Sequence, residues 1–371
     1  MTRPRLVIMA NNIDEVGGAQ RVVHVVAQGL AERGYPVDLV GVTPFTPRHE
    51  FVADPAFRRF VLMSQEWPAA QKAPGGVAER RRLSEEGATA LVAVLADGPP
   101  GVIVTSQLWA MEYVARVPHE DWAVIGQYHS SYEAALAGRD LKRAVDLYRE
   151  VDLFTLLTPQ DADAFRRAGL NNTTSLPNPL AFWPSAPSAH QGHETVTYLG
   201  RLSEEKGVGF LVDAWGRMAD RHPSWRLRLV GSGPDEARIR TRIAGLSTGA
   251  DRVDVMPPVV DAESALREAG ILVLPSLTEG LPLVLAEAMA LGLPCIATDC
   301  SSGVRMLAGG GTDALLVPRG DAHALAEAMA SLIDDAARRT GLGERARVAM
   351  EPYRADRILD RWEQMIGDVL R

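Results

Sequence analysis

Apolar residues along the chain fall into short runs that alternate with amphipathic stretches. Leu6–Ala10 (LVIMA) is a continuous run of strand length. After a polar loop, residues 19–34 place Val22, Val23, Val26, Ala27 and Leu30 at helical spacing, with Gly34 as a stop. Residues 37–42 (VDLVGV) read as strand again, and strand–helix–strand in that order favours a parallel pair. Further strands are expected at 102–106, 122–129 and 153–158. Residues 44–88, rich in Pro, Arg and Glu, show no clear period, so long loops and helices are expected there. The pattern breaks at LPNPL (176–180) and the proline-bearing AFWPSAPSAH after it, the best linker in the chain. It restarts with strands at 195–200, 226–231, 271–276, 294–298 and 314–317. Helices are expected at 208–222, after Gly233, at 282–292, and at 321–339 with Asp321 as N-cap. The expected architecture is α/β, two doubly wound parallel-sheet units in series. Such sheets bind ligands beyond the carboxyl ends of their strands.

Composition narrows the function. A chain of 371 residues with 46% hydrophobic and 23% charged content has the make-up of soluble two-domain proteins. A net charge of −8 argues against nucleic acid as a partner held by bulk attraction to phosphate. Cys295 and Cys300 are the two cysteines; they have no metal-ligand spacing, and a reducing cytoplasm fits them best. The apolar run near the N-terminus is shorter than a signal-peptide core, and no stretch approaches the ~20 apolar residues of a membrane span. The basic run Arg80–Arg82 is flanked by Glu79, Glu85 and Glu86 and reads first as a solvated helix face. A contact with lipid, at the inner face of a membrane, or with the acceptor is its second reading.

Several stretches carry candidate chemistry. DEVGGAQ (14–20) joins the first strand to the first helix, where Gly17 and Gly18 can let backbone approach a ligand; a plain tight turn is as good a reading. A full G-x-G-x-x-G is absent, and Asp38 opens the second strand, where a dinucleotide fingerprint wants an acid at its end. GRLSEEKG (200–207) puts Arg201 at a strand's carboxyl end and Lys206 before the next helix. Two cations there suit a diphosphate, unless they pair with Glu204 and Glu205. LVGSGPDEARIR (229–240) offers Gly231 and Gly233 for close approach, or simply a well-capped helix. EGLPLVLAE (279–287) sets Glu279 beside Gly280, which suits an unusual backbone angle, with amides of Gly280 and Leu281 able to donate to a ligand. Pro282 and Leu283 open the helix, and Glu287 lies in its second turn among apolar residues. A vicinal diol would satisfy that carboxylate; a salt bridge to another segment is the alternative. His129 ends a first-half strand and is a candidate substrate contact. DAD (161–163) looks like a metal-holding Asp-x-Asp but follows Thr158 and Pro159, so helix capping is the expected role and no metal site is assigned.

These residues, in this order, resemble the retaining GT-B glycosyltransferases of family four, over most of the chain. The resemblance is strong at EGLPLVLAEAMALGLP with its Glu-x7-Glu pattern, moderate at GRLSEEKG and weak at the glycine pair. It implies a GT-B fold: Rossmann-like domains at 1–178 (acceptor) and 179–354 (nucleotide-sugar donor) facing across a cleft, and a helix at 355–371 returning to the first. It assigns diphosphate neutralisation to Arg201 and Lys206, and donor-sugar hydroxyls to Glu279 with Gly280 and Leu281. Glu287 would take the ribose, Gly18 would allow the first domain's loop to close over the phosphates, and His129 would line the sugar pocket. The co-substrate is a nucleoside-diphosphate sugar, UDP favoured over GDP or ADP, with no metal or other cofactor. The acceptor is a hydroxyl of a cell-envelope glycan, a lipid-linked precursor or a secondary metabolite, in a bacterial source. A GT-B epimerase fits the Glu-x7-Glu spacing less well, and a non-catalytic sugar-nucleotide-binding subunit would be expected to lose Arg201, Lys206 or Glu279.

Overall fold

The computed structural model describes residues 3–67, 76–138, 140–188 and 192–371. The chain divides into two compact units, Met1–Ala181 with Ala355–Arg371, and Phe182–Arg354. The strands of the first are β1 (Leu6–Ala10), β2 (Val37–Gly41), β3 (Arg58–Val61), β4 (Val102–Thr105), β5 (Ala123–Tyr128), β6 (Leu153–Leu156) and β7 (Thr173–Ser175). Those of the second are β8 (Thr195–Leu199), β9 (Arg226–Val230), β10 (Val253–Met256), β11 (Ile271–Leu274), β12 (Cys295–Thr298) and β13 (Leu315–Val317). The helices between them are α1 (Gly18–Glu32), α2 (Gly76–Ala96), α3 (Leu108–Val114), α4 (Tyr132–Ala137), α5 (Asp140–Tyr148) and α6 (Pro159–Arg167) in the first unit. The second has α7 (Val208–Met218), α8 (Glu236–Ala244), α9 (Ala262–Arg267), α10 (Leu283–Ala290), α11 (Ser302–Leu307), α12 (Ala322–Ile333) and α13 (Ala336–Ala349), and α14 (Ala355–Val369) returns to the first.

Both sheets are parallel, with orders β3-β2-β1-β4-β5-β6-β7 and β10-β9-β8-β11-β12-β13. Their central strands are buried on both faces, which is why they read as continuous apolar runs with no alternation. In each sheet the strand order reverses beside its first strand, between β1 and β4 and between β8 and β11. The helices that follow neighbouring strands at such a point pack on opposite faces, and the loops leading to them border a crevice at the carboxyl edge.

α14 is amphipathic. Its buried Ile358, Leu359, Trp362 and Ile366 form one stripe, and ion pairs from Arg33 at the end of α1 to Asp360 (2.8 Å) and Glu363 (2.7 Å) tie it down. Asp38 is buried and paired with Arg5 and Arg58, so its acid is committed to the sheet's own packing.

Three strands lie where none is expected from the pattern: β3, β7 and β10. All three are edge strands of three or four residues and all carry polar residues, so burial imposes little apolar signal on them. The expected helix at 321–339 is two helices, because Asp334 ends α12 and the Asp335 carboxylate caps α13 by accepting from the Arg338 amide at 2.8 Å. The basic run on α2 is matched by acids, Arg81 with Glu85 and Arg82 with Glu79 and Glu86, consistent with a solvated face. Among the described residues no helix is long and apolar enough to cross a membrane. Within the illegible stretch 44–88, residues 68–75 lie outside the described residues.

Candidate active site

The reversal between β8 and β11 sets the second unit's site. The loop after β8 carries Arg201 and the turn Glu204–Lys206; the loop after β11 carries Glu279. Adjacent parallel strands bring these loops side by side. Lys206 Nζ lies 2.7 Å from Glu279 Oε1, with the two side chains 28% and 10% exposed. The Ser276 hydroxyl donates to the same oxygen at 2.7 Å. The Leu277 amide donates to the Glu205 carbonyl at 2.8 Å and straps the two loops together. Lys206 therefore pairs with neither glutamate of its own loop. Glu205 instead accepts from the Ser203 hydroxyl at 2.5 Å, which holds its pKa below the usual carboxylate range. Arg201 is exposed, and its carbonyl accepts from the Tyr198 hydroxyl at 2.6 Å.

Two glycines make this arrangement possible. Gly207, at φ +65°, turns the chain from Lys206 into α7 with its Cα facing the Pro275 carbonyl, where a Cβ would sit 2.0 Å from the oxygen. Gly231, at φ +148°, packs against the Gly200 carbonyl, where a Cβ would sit 1.9 Å from the oxygen.

α10 starts at Leu283, one residue later than the sequence suggests, with Pro282 as its N-cap and no side-chain cap. Its first amides are thus left for an acceptor from elsewhere. Leu281 is buried, Leu283 is half-buried, and the Gly280 carbonyl accepts from the Ser301 hydroxyl at 3.4 Å. Glu287 is 1% exposed on α10, which confirms the burial that made it conspicuous. Cys300 lies near enough to feel the Glu279 charge; burial first, then that charge, pushes its thiol up to about 11.

In the first unit, Gly17 is the N-cap of α1 with φ −169°, extended backbone open to any residue. A Cβ there would meet only the flexible Gln20 side chain, so glycine supplies clearance at this turn and no special conformation. Gly18 is exposed at the first helical position. The loop before them is braced by residues outside the glycine motif. Asn12 Oδ1 accepts from the amides of Asp14 and Glu15, and buried Asp14 pairs with Arg59 at 2.5 Å. An Asx turn after a strand was the available signal.

His129 follows β5 at the carboxyl edge. Burial pushes its imidazole down to about 4, with the Asn178 side chain opposing, so it is neutral at pH 7. Neither ring nitrogen has a partner in hydrogen-bond geometry among the described residues. The sign follows from the folded value lying below the unfolded value of about 6.5. The unfolded chain takes up the proton first, so stability is fully present above pH 6.5 and is lost as pH falls towards 4. That loss is about 2 kcal/mol at pH 5. His24, also lowered by burial, adds in the same direction. His129→Gln should recover the His129 share in denaturation curves at pH 7 and pH 5.

The Asp-x-Asp stretch behaves as a cap. Thr158 Oγ1 accepts from the Asp161 amide at 3.0 Å, Pro159 opens α6, and Asp161 Oδ1 accepts from the Tyr132 amide.

Known proteins share this layout. A family described as Glycosyltransferase Family 4 matches residues 16–180, and one described as Glycosyl transferases group 1 matches residues 193–335. An uncharacterized glycosyltransferase of Haemophilus influenzae is 26% identical over 359 residues, 96% of this chain and 98% of its own. The putative colanic acid biosynthesis glycosyltransferase WcaL of Escherichia coli is 30% identical over 217 residues, 56% of this chain and 51% of its own. Among solved structures, Anabaena HepE in complex with UDP-glucose superposes with a TM-score of 0.78 at 17% identity, over 98% of this chain and 99% of that one. The chain is a glycosyltransferase of the GT-B fold.

Proposed function

We propose that the chain is a retaining, metal-independent transferase that moves a sugar from a nucleoside-diphosphate sugar, UDP favoured, to an acceptor hydroxyl. The observation that carries this reading is the Lys206–Glu279 pair, 2.7 Å apart beside the uncapped N-terminus of α10. Glu279 holds hydroxyls of the donor sugar, and Glu287 accepts from the ribose diol. As the glycosyl–phosphate bond breaks, negative charge grows on the diphosphate. Arg201, Lys206 and the amide ends of α10 stabilise it with dipoles and charges already in place. The acceptor hydroxyl attacks the same face and its proton passes to the leaving phosphate oxygen, so configuration is retained. Glu279 and Glu287 belong to one donor site and do not form the acid and nucleophile of a hydrolase. His129 and the Gly17–Gly18 turn serve the first unit, which takes the acceptor. The putative role of the Escherichia coli relative in colanic acid biosynthesis supports a cell-envelope glycan as acceptor, and the UDP-glucose complex of HepE supports a UDP-sugar.

Calorimetric titration with UDP, GDP and ADP in EDTA, then with the matching sugar nucleotides, tests the reading. Micromolar binding of one series supports it, and transfer to an added acceptor in EDTA supports metal independence. Binding of none, or activity that returns only with added metal, overturns it in whole or in that part. Glu287→Ala should weaken the nucleotide about 10- to 100-fold; unchanged affinity removes the ribose role.

A further inference from the structure

Glu279 Oε1 has two donors of different kinds. Lys206 brings a charge and is 28% exposed; Ser276 brings a neutral hydroxyl and is fully buried. A bound diphosphate carries more negative charge than one carboxylate and competes for the same ammonium. When Lys206 turns to it, Glu279 loses its stronger anchor at the moment it must hold the sugar. A glutamate side chain with one anchor fewer regains rotamer freedom.

Resting on the donor-site reading above, we propose that Ser276 is the positioning residue that keeps the Glu279 carboxylate aimed at the donor sugar once the diphosphate has drawn Lys206 away. The peptide that leaves Ser276 is held at both its carbonyl and its N–H. Its carbonyl accepts from the buried Thr298 hydroxyl at the end of β12, and the next residue, Leu277, is strapped to Glu205 by its amide. The hydroxyl therefore stays where β11 and β12 put it, whichever partner Lys206 has. A carboxylate accepts at about four lone-pair positions. Ser276 and Lys206 use two of them on one oxygen, and the remainder are available to sugar hydroxyls.

The role separates the sugar from the nucleotide. Ser276→Ala should bind the free nucleoside diphosphate within about twofold of wild type, since Lys206, Arg201 and Glu287 are intact. Its kcat with the sugar nucleotide should fall about 10- to 100-fold, the range for a lost hydrogen bond to a charged group. Ser276→Thr, which keeps the hydroxyl, should restore most of the rate. Ser276→Cys, close in volume and a weak donor, should behave like the alanine variant and stands in for it should alanine fail to fold. A parallel fall in diphosphate affinity and kcat would assign Ser276 a merely structural role and overturn the proposal. Unchanged kcat in Ser276→Ala, with normal nucleotide binding, overturns it while leaving the donor site standing. A wild-type protein that binds no nucleotide overturns the donor-site reading and this proposal together.

Discussion

Glu279→Ala lowers sugar transfer about 100- to 1000-fold while the affinity for free nucleoside diphosphate stays equal or rises. The direction follows from the ion pair. Glu279 and Lys206 are each other's nearest opposite charge, 2.7 Å apart and mostly shielded from water. Removing the carboxylate frees the ammonium for the phosphates, so the leaving group is bound at least as well. What is lost is the grip on the sugar, which matters only in the transition state. Lys206→Ala has the other signature. Turnover and diphosphate affinity fall together, because the cation is gone and an unpaired carboxylate then faces the phosphates. Parallel calorimetry and rate measurements on the two variants would show these opposite signs. Near-normal turnover in both would remove the pair from the active site.

Gly231→Ala destabilises the second unit by about 4 kcal/mol, combining backbone strain with an overpacked contact. At φ +148° the residue lies where L side chains are strained, and its Cβ would sit 1.9 Å from the Gly200 carbonyl oxygen. Both partners are backbone, so no flexible side chain can yield. Gly200 is also fixed from the other side, since its amide donates to the Val230 carbonyl at 3.0 Å. Relief requires the loop after β8 to move, and that loop carries Arg201 and Lys206. The melting transition of the second unit should fall and the diphosphate affinity of the folded fraction should fall with it. A loss under about 1 kcal/mol would show that the loop gives way without strain.

The sequence made legible what burial and periodicity enforce. β1, β4 and β11 are apolar runs because helices cover both sheet faces, and Glu287 was conspicuous because a lone acid in an apolar helix needs a reason. The partner of Lys206 was not legible. Glu204 and Glu205 sit beside it in the chain, and only the strand order, β8 next to β11, places Glu279 closer than either. Ser276 escaped notice because a serine at a strand end has no pattern. The split between α12 and α13 was hidden because the apolar period continues past Asp334 and Asp335, and capping outweighs it. Gly17 was expected to let backbone approach a ligand; its extended backbone is open to any residue, so its lack of a side chain is what serves such an approach.

The return of α14 to the first unit also fixes an order of events during synthesis. The ribosome completes all of Phe182–Arg354 before it makes the helix whose Ile358, Leu359, Trp362 and Ile366 cover the outer face of α1. For that interval the nascent first unit has its strands but not its last cover, while the second, continuous in the chain, already has every residue it needs. The first unit, though begun first, is therefore completed last. That order also makes the exposed stripe on α1 the surface that a ribosome-bound chaperone would meet.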